Sequence, residues 1–483
     1  MHAVWRWRIS GRELLDRPWT LPATWPTCIV IAIGLLVCLL GVLSPEMGWD
    51  ALTYHLRLPS FYLMRHKVYD VWHNYYAPFP SQIEMLFLLG KLADSDLTAR
   101  CLNAAFGILL LGTSWSLARA LGSSSGWPTA VLAASPLFLL LATRCYVDLG
   151  MAFFLAMGVT SLLRWRRTGS AHALLASGTL VGFGMGSKYI GLFMWLGILV
   201  ALGLRPGGHD RKRLLTIWLP ASLVPVMPWL AKNWMIRGNP VFPFLYQWMG
   251  LAVVRPTDHR LPFEGGEGLG TIRSGVLDRV GAIFFDAGHI DGPFLPVLGG
   301  LLPLLILESG SGVLSVAARV VVAYLLVWLS LAPEARFLLP VIPLMLGLTF
   351  SRLEHLMRSS RTTNTMMRAV LEANLLAGVA FAMAIQWIFY APLSLALGME
   401  SPVAKMTRFL APPPYHGRLA AYVNANLPRN ARILYACHFV SYNTDRECLT
   451  DFHFGKAHLT RILSEGVTVD GILRQLRRAG IGW

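Results

Sequence analysis

"TCIVIAIGLLVCLLGVLSPEMGWDALTYHLRL", residues 27–58, decides how the chain is read. Its first part is an uninterrupted apolar run over 27–44, and within a few residues of its end come Asp50, Tyr54, His55 and Arg57. An apolar run of this length is what a bilayer-crossing helix requires. Ionisable residues immediately beyond it stand at the water boundary, where each is paired, snorkelling or functional.

The whole chain repeats this grammar. Of its 483 residues 55% are hydrophobic and 14% charged, with a mean hydropathy of +0.52, which excludes an ordinary soluble domain. About eleven apolar runs recur, near 27–44, 97–118, 127–143, 148–163, 172–187, 189–204, 214–231, 294–307, 313–332, 337–351 and 369–391. The expected fold is therefore an α-helical polytopic membrane protein of about 11 transmembrane helices.

A net charge of +16 raises the question of nucleic acid. The basic residues answer it by lying in short alternate loops rather than in one aromatic-interleaved patch: Arg6 to Arg17, Arg164 to Arg167, Arg211 to Arg213, and Arg352 to Arg368. The positive-inside rule makes those loops, and the amino terminus, cytoplasmic. With eleven spans the carboxyl terminus is extracytoplasmic. The expected organisation is a cytoplasmic segment 1–26, a transmembrane domain 27–391 with outer loops 45–96 and 232–293, and an extracytoplasmic α/β tail 392–483 that stops abruptly, as a truncated chain would.

The first outer loop contains amphipathic helical pieces broken by Pro59, Pro78 and Pro80. Asp50, Tyr54 and Arg57 share a face there by helical spacing, although Asp50 also suits a simple helix cap. Gly182, Gly184 and Gly186 make the fifth span pliable, and "FEGGEGLG" at 263–270 reads as a lid or a connector. In the tail, 430–453 reads as two strands around a turn, with Cys437 and Cys448 placed where an oxidising compartment would permit a disulfide. Glu334 and Arg336 suit a local ion pair, Lys188 and Lys232 suit snorkelling, and His55, His66 and His73 suit interfacial polar roles.

No phosphate-binding loop, dinucleotide fingerprint, HExxH, GxSxG or paired CxxC is present. What remains is a set of carboxylates and cations converging by topology on one rim, a pattern that fits an anionic lipid headgroup and a reaction needing a base. "GWDALTYHLRLPSFYL", "FPSQIEMLFLLG", "YVDLGMAFF", "GFGMGSKYIGLF", "KNWMIRGNPVFPF" and "PEARFLLPVIPL" follow one another in an order that resembles the polytopic GT-C glycosyltransferases, the group of the protein O-mannosyltransferases and lipid A aminoarabinose transferases. The likeness covers roughly residues 27 to 350.

That resemblance implies a cell-envelope transferase in the plasma (bacterial inner) membrane. It takes a sugar from a polyprenyl-phosphate donor and passes it to a lipid, glycan or protein acceptor at the outer face. It implies Asp50 as the catalytic base, with Glu84 and Asp148 orienting or binding metal. Lys188, Arg144, Lys232 and Arg336 would meet the donor phosphate, and Tyr54, His55 and Arg57 would contact acceptor or sugar. A desolvated Asp50 with a raised pKa would serve best as base. The motif "WDAL" lacks the acidic doublet of some relatives, which leaves a divalent metal ion an open cofactor. The rival from another class is a secondary transporter or flippase, which would place its ionisable residues near the midplane of repeated, broken helices.

Overall fold

The computed structural model describes residues 25–245, 313–390 and 417–450, with short breaks, and isolated positions at 394–401 and 468–474. The expected span 294–307, the segment 263–270, His73 and Cys437 lie outside these residues.

Helix α1, Trp25–Leu39, tightens into a 3₁₀ turn over Leu40–Leu43 and ends at extended Ser44. It packs against α15, Arg361–Ile385, at glycine: a Cβ on Gly34 would stand 2.0 Å from Val379, and one on Gly41 would stand 2.7 Å from Gln386. Small residues at such crossings are how helices approach closely in a membrane, where no hydrophobic effect drives them together.

The first loop contributes α2, Arg57–Arg65, and α3, Gln82–Leu92. Next come α4, Asp96–Ala120, and two short helices, α5, Trp127–Ala133, and α6, Pro136–Ala142. The sequence suggested one span over 127–143; the structure breaks it, because Ser135 is extended and Pro136 restarts the helix. Seven residues rise only about 10 Å, a third of a hydrocarbon core.

The centre of the bundle is the antiparallel pair α7, Asp148–Thr168, and α8, Ala171–Ser187, joined through left-handed Gly169. The glycines read as a source of pliability act instead as contact surfaces. A Cβ on Gly184 would stand 2.4 Å from Leu155, and one on Gly182 would stand 2.5 Å from the Ser222 carbonyl. After α9, Gly191–Gly203, the chain runs through α10, Gly208–Arg213, and α11, Leu219–Leu223, into α12, Met227–Arg237. It bends there by 62° between Leu223 and Met227. Helices α13, Val313–Leu331, α14, Ile342–Ser359, and α15 are the remaining bundle helices among the described residues.

Among the described residues, Asp96–Ala120 and Arg361–Ile388 are each long and apolar enough to cross a membrane, and the bent pair makes a third if it counts as one span. The described residues thus form a mostly helical bundle in which two or three crossings are clear by length and composition.

In the tail, α16, Gly417–Asn426, precedes β1, Arg432–Tyr435, and β2, Glu447–Thr450. The strands pair in parallel, Arg432 opposite Glu447, rather than as the hairpin suggested by the sequence. The intervening stretch is long enough for a crossover, so a tight turn is not needed. Cys448 is a buried free thiol.

Candidate active site

The site begins where α1 ends. The Glu46 carboxylate accepts from the backbone N–H groups of Met47 (2.9 Å), Gly48 (2.7 Å) and Cys145 (2.6 Å), tying the start of the first loop to the turn before α7. Gly48 is required there, since a Cβ would stand 2.7 Å from the Tyr146 ring. Asp50, two residues on, is buried and makes no helix cap. Its Oδ2 accepts instead from Arg336 Nη1 at 2.6 Å and from Tyr54 Oη at 3.1 Å.

Residues Ala51–His55 form a π turn, closed by Leu56 N–H on the Ala51 carbonyl at 2.9 Å. The extra residue in that turn changes the facing of everything after it. Tyr54 still reaches back to Asp50, and His55 Nδ1 meets Glu84 Oε1 at 2.8 Å with both side chains buried. As a carboxylate Glu84 only accepts, so Nδ1 carries the proton. Nε2 of His55 and Oε2 of Glu84 have no hydrogen-bond partner among the described residues.

Arg57 leaves the face that its spacing assigned to it. Its guanidinium donates to the Thr444 (3.1 Å) and Arg446 (3.2 Å) carbonyls, so it anchors the tail rather than facing Asp50. Nearby, Glu447 of β2 accepts from Arg65 at 2.6 Å and from Arg432 at 2.9 Å.

A second ion pair lies beside the first. Asp148, the first residue of α7 and fully buried, accepts from Lys188 Nζ at 3.2 Å; Lys188 is the extended residue that ends α8. Lys188 and Arg336 both lie over the Phe337 ring, at 4.9 Å and 5.3 Å, and Arg336 also lies over Tyr146 at 5.7 Å. Two cations and two carboxylates from four distant parts of the chain are thus gathered at one end of the bundle. Arg336 does not pair with its neighbour Glu334, which is exposed.

Burial pushes the Asp50 carboxyl up, but the charges of Arg336, Lys188 and His55, with the Arg336 hydrogen bond, outweigh it and hold the group down to about 2. Desolvation alone suggested the opposite shift. The Tyr54 phenol is pushed well up, by burial first and by the Asp50 charge second, and so stays protonated as a donor to Asp50.

The other expected phosphate ligands are placed differently. Lys232 Nζ donates to the Ala77 carbonyl at 2.6 Å and lies over Trp229, strapping the first loop to α12. Arg144 is buried, with its own carbonyl accepting from Asn103 at 2.6 Å.

Several participants were not singled out from the sequence: Glu46, Tyr146, Phe337 and an aromatic series leading away from Asp50. Tyr76 stacks on Tyr54 (4.0 Å between centroids), Phe79 meets Tyr76 edge-on (5.5 Å), Tyr189 meets Phe79 (5.4 Å) and Phe244 meets Tyr189 (5.2 Å). The aromatic run "NYYAPF" at 74–79 was the available signal. Among the described residues no three His, Cys, Asp or Glu side chains stand together as metal ligands.

Residues 83–231 match the family described as dolichyl-phosphate-mannose-protein mannosyltransferase. The fold is similar to that of ArnT from Cupriavidus metallidurans in the apo state, at 16% identity and TM-score 0.58, over 91% of this chain and 88% of that one. ArnT from the same organism bound to undecaprenyl phosphate gives the same figures. The apo oligosaccharyltransferase of Archaeoglobus fulgidus is 14% identical, with TM-score 0.47 over 88% of this chain and 64% of that one. No curated protein matches the chain in sequence. The resemblance read from the motifs is matched on two counts: residues 83–231 fit the dolichyl-phosphate-mannose-protein mannosyltransferase family, and the fold of the chain is similar to that of ArnT.

Proposed function

We propose that the protein is a glycosyltransferase that moves a sugar from a polyprenyl-phosphate donor to a hydroxyl of a lipid, glycan or protein acceptor at the outer face of the plasma membrane, with its amino terminus cytoplasmic and its tail extracytoplasmic. One observation carries the reading: Asp50 and Asp148 each hold a cation, Arg336 and Lys188, and both cations lie over the Phe337 ring. The ArnT of matching fold binds undecaprenyl phosphate, which supports a lipid-linked donor here.

In this reading the donor phosphate competes with the two carboxylates for Arg336 and Lys188. Negative charge on the phosphate grows as its bond to the anomeric carbon breaks, so the cations favour the transition state over the bound donor. Drawing Arg336 toward the phosphate removes the strongest charge holding Asp50 down, while burial continues to push it up. Asp50 thus becomes a competent base only when donor is present. It takes the acceptor proton as the acceptor oxygen bonds to the anomeric carbon, and polyprenyl phosphate departs. His55, oriented by Glu84, and Tyr54 with its stacked Tyr76 supply polar and aromatic contacts for the sugar or acceptor.

The test is transfer from a panel of radiolabelled polyprenyl-phosphate hexoses and pentoses by protein in proteoliposomes. Product that forms with wild type and Lys212→Gln but not with Asp50→Asn supports the reading. Accumulation of unmodified substrate inside the vesicles without product would identify a transporter instead.

A further inference from the structure

A second polar cluster lies at the other end of α14. Arg336 lies in the turn six residues before this helix and Glu354 is close to its end, so about 18 Å of helical rise, Ile342 to Glu354, separates the cluster from the active site. The loop "GSSSG", 122–126, wraps the Glu354 carboxylate. Glu354 accepts from the backbone N–H of Ser124 (2.8 Å) and Ser125 (3.2 Å), from their hydroxyls (2.7 and 2.6 Å), and from the Ser123 hydroxyl.

Beside it opens a cavity of about 450 Å³, floored by Trp127 and Met357 and walled by Arg358, Arg361 and Arg368. Asn364, which accepts from Arg368 Nε at 3.2 Å, lies on the same α15 face as Arg361 and Arg368. Arg358 sits 3.5 Å from Glu354 and donates to the Ser124 hydroxyl.

The positive-inside rule accounts for arginines in this loop but not for their arrangement. Solvated topological charges have no reason to line one cavity. Here three guanidiniums do so, against a single carboxylate already saturated by serine donors. The depth is also specific: Met366 and Val370, in the same turns of α15 as Arg368, are 63% and 48% exposed, so the helix surface becomes apolar at this level. The cavity therefore lies where lipid headgroups meet acyl chains.

We propose that this cavity binds the phosphate of an anionic phospholipid headgroup, at the membrane face opposite the transfer site. Guanidiniums recognise phosphate oxygens through paired N–H donors, and each basic residue at a membrane surface strengthens such binding by about fivefold.

The test titrates delipidated, detergent-solubilised full-length protein with short-chain phosphatidylglycerol, phosphatidylcholine or inorganic phosphate, reading thermal stabilisation. Wild type responds to phosphatidylglycerol and not to phosphatidylcholine, and Arg361→Gln/Arg368→Gln weakens that response about thirtyfold. The double Lys variant retains most of it, and undecaprenyl phosphate binding is unchanged in both, which separates loss of this site from misfolding. Displacement of the lipid by inorganic phosphate identifies phosphate as the recognised group. Equal responses to the two lipids, an unaltered response in the Gln variant, or binding of inorganic phosphate alone would each overturn the proposal.

Discussion

Arg336 donates to Asp50 at 2.6 Å although 286 residues separate them in the chain. In the proposed reaction this pair opens when donor arrives, so its two members respond differently to mutation. Asp50→Asn is expected to bind undecaprenyl phosphate at least as tightly as wild type, because Arg336 is released to it, while transfer falls roughly 10²- to 10⁴-fold. Arg336→Gln weakens phosphate binding about tenfold as well as slowing transfer. Equal loss of binding in both variants would refute the competition.

The same pair has a pH signature. A carboxyl held down in the folded protein contributes stability that is complete above its unfolded value, about 3.9, and is lost as pH falls through the folded value. For Asp50 the folded value is about 2, so the loss runs from near pH 4 downward. Thermal unfolding of wild type should drop across that window, and Asp50→Asn should lack this component. Superimposable pH curves for the two proteins would show that the pairing adds nothing.

Arg57 makes two charge-assisted bonds to tail carbonyls from a buried position. Removing it with Arg57→Ala should cost about 3 kcal/mol of docking and make the tail susceptible to limited proteolysis. Arg65→Gln, which breaks a solvent-exposed pair with Glu447, should cost under about 1 kcal/mol and leave the tail protected. Similar proteolysis of both variants would argue against Arg57 as the anchor.

Gly182 and Gly112 form a matched pair within long helices. A Cβ at Gly182 meets the Ser222 backbone carbonyl at 2.5 Å, whereas one at Gly112 meets nothing within 4 Å. Gly182→Ala should therefore lower stability by about 1–3 kcal/mol through overpacking. Gly112→Ala should be neutral or raise it by up to about 1 kcal/mol through helix propensity. Thermal melts in one detergent compare them directly, and matching shifts would show that helix packing at Gly182 tolerates the methyl.

Composition and apolar period were enough for the fold class, because they follow from what lipid demands of every segment. Span-end position also picked out Asp50, Asp148, Lys188 and Arg336, since charge at that depth requires a reason. Which acid holds which cation was not legible. Glu334 lies beside Arg336 in sequence, yet the partner is Asp50, and only three-dimensional packing selects it. The destination of Arg57 was hidden as well, because helical spacing assumes an even turn and residues Ala51–His55 do not provide one. Pro136 was a visible break in the third apolar run, but its neighbours are so greasy that the hydropathy window passed over it.

The wide turn over Ala51–His55 sets the phase between two sets of contacts on one strip of backbone. Up to Tyr54 the chain addresses the ion-pair cluster; from Arg57 it addresses the tail. Excising one residue here would restore an even coil and swing the Arg57 side about 100° around the axis. Ion-pair cluster and tail anchor could then no longer be satisfied together, so this segment should tolerate substitution far better than any change in its length.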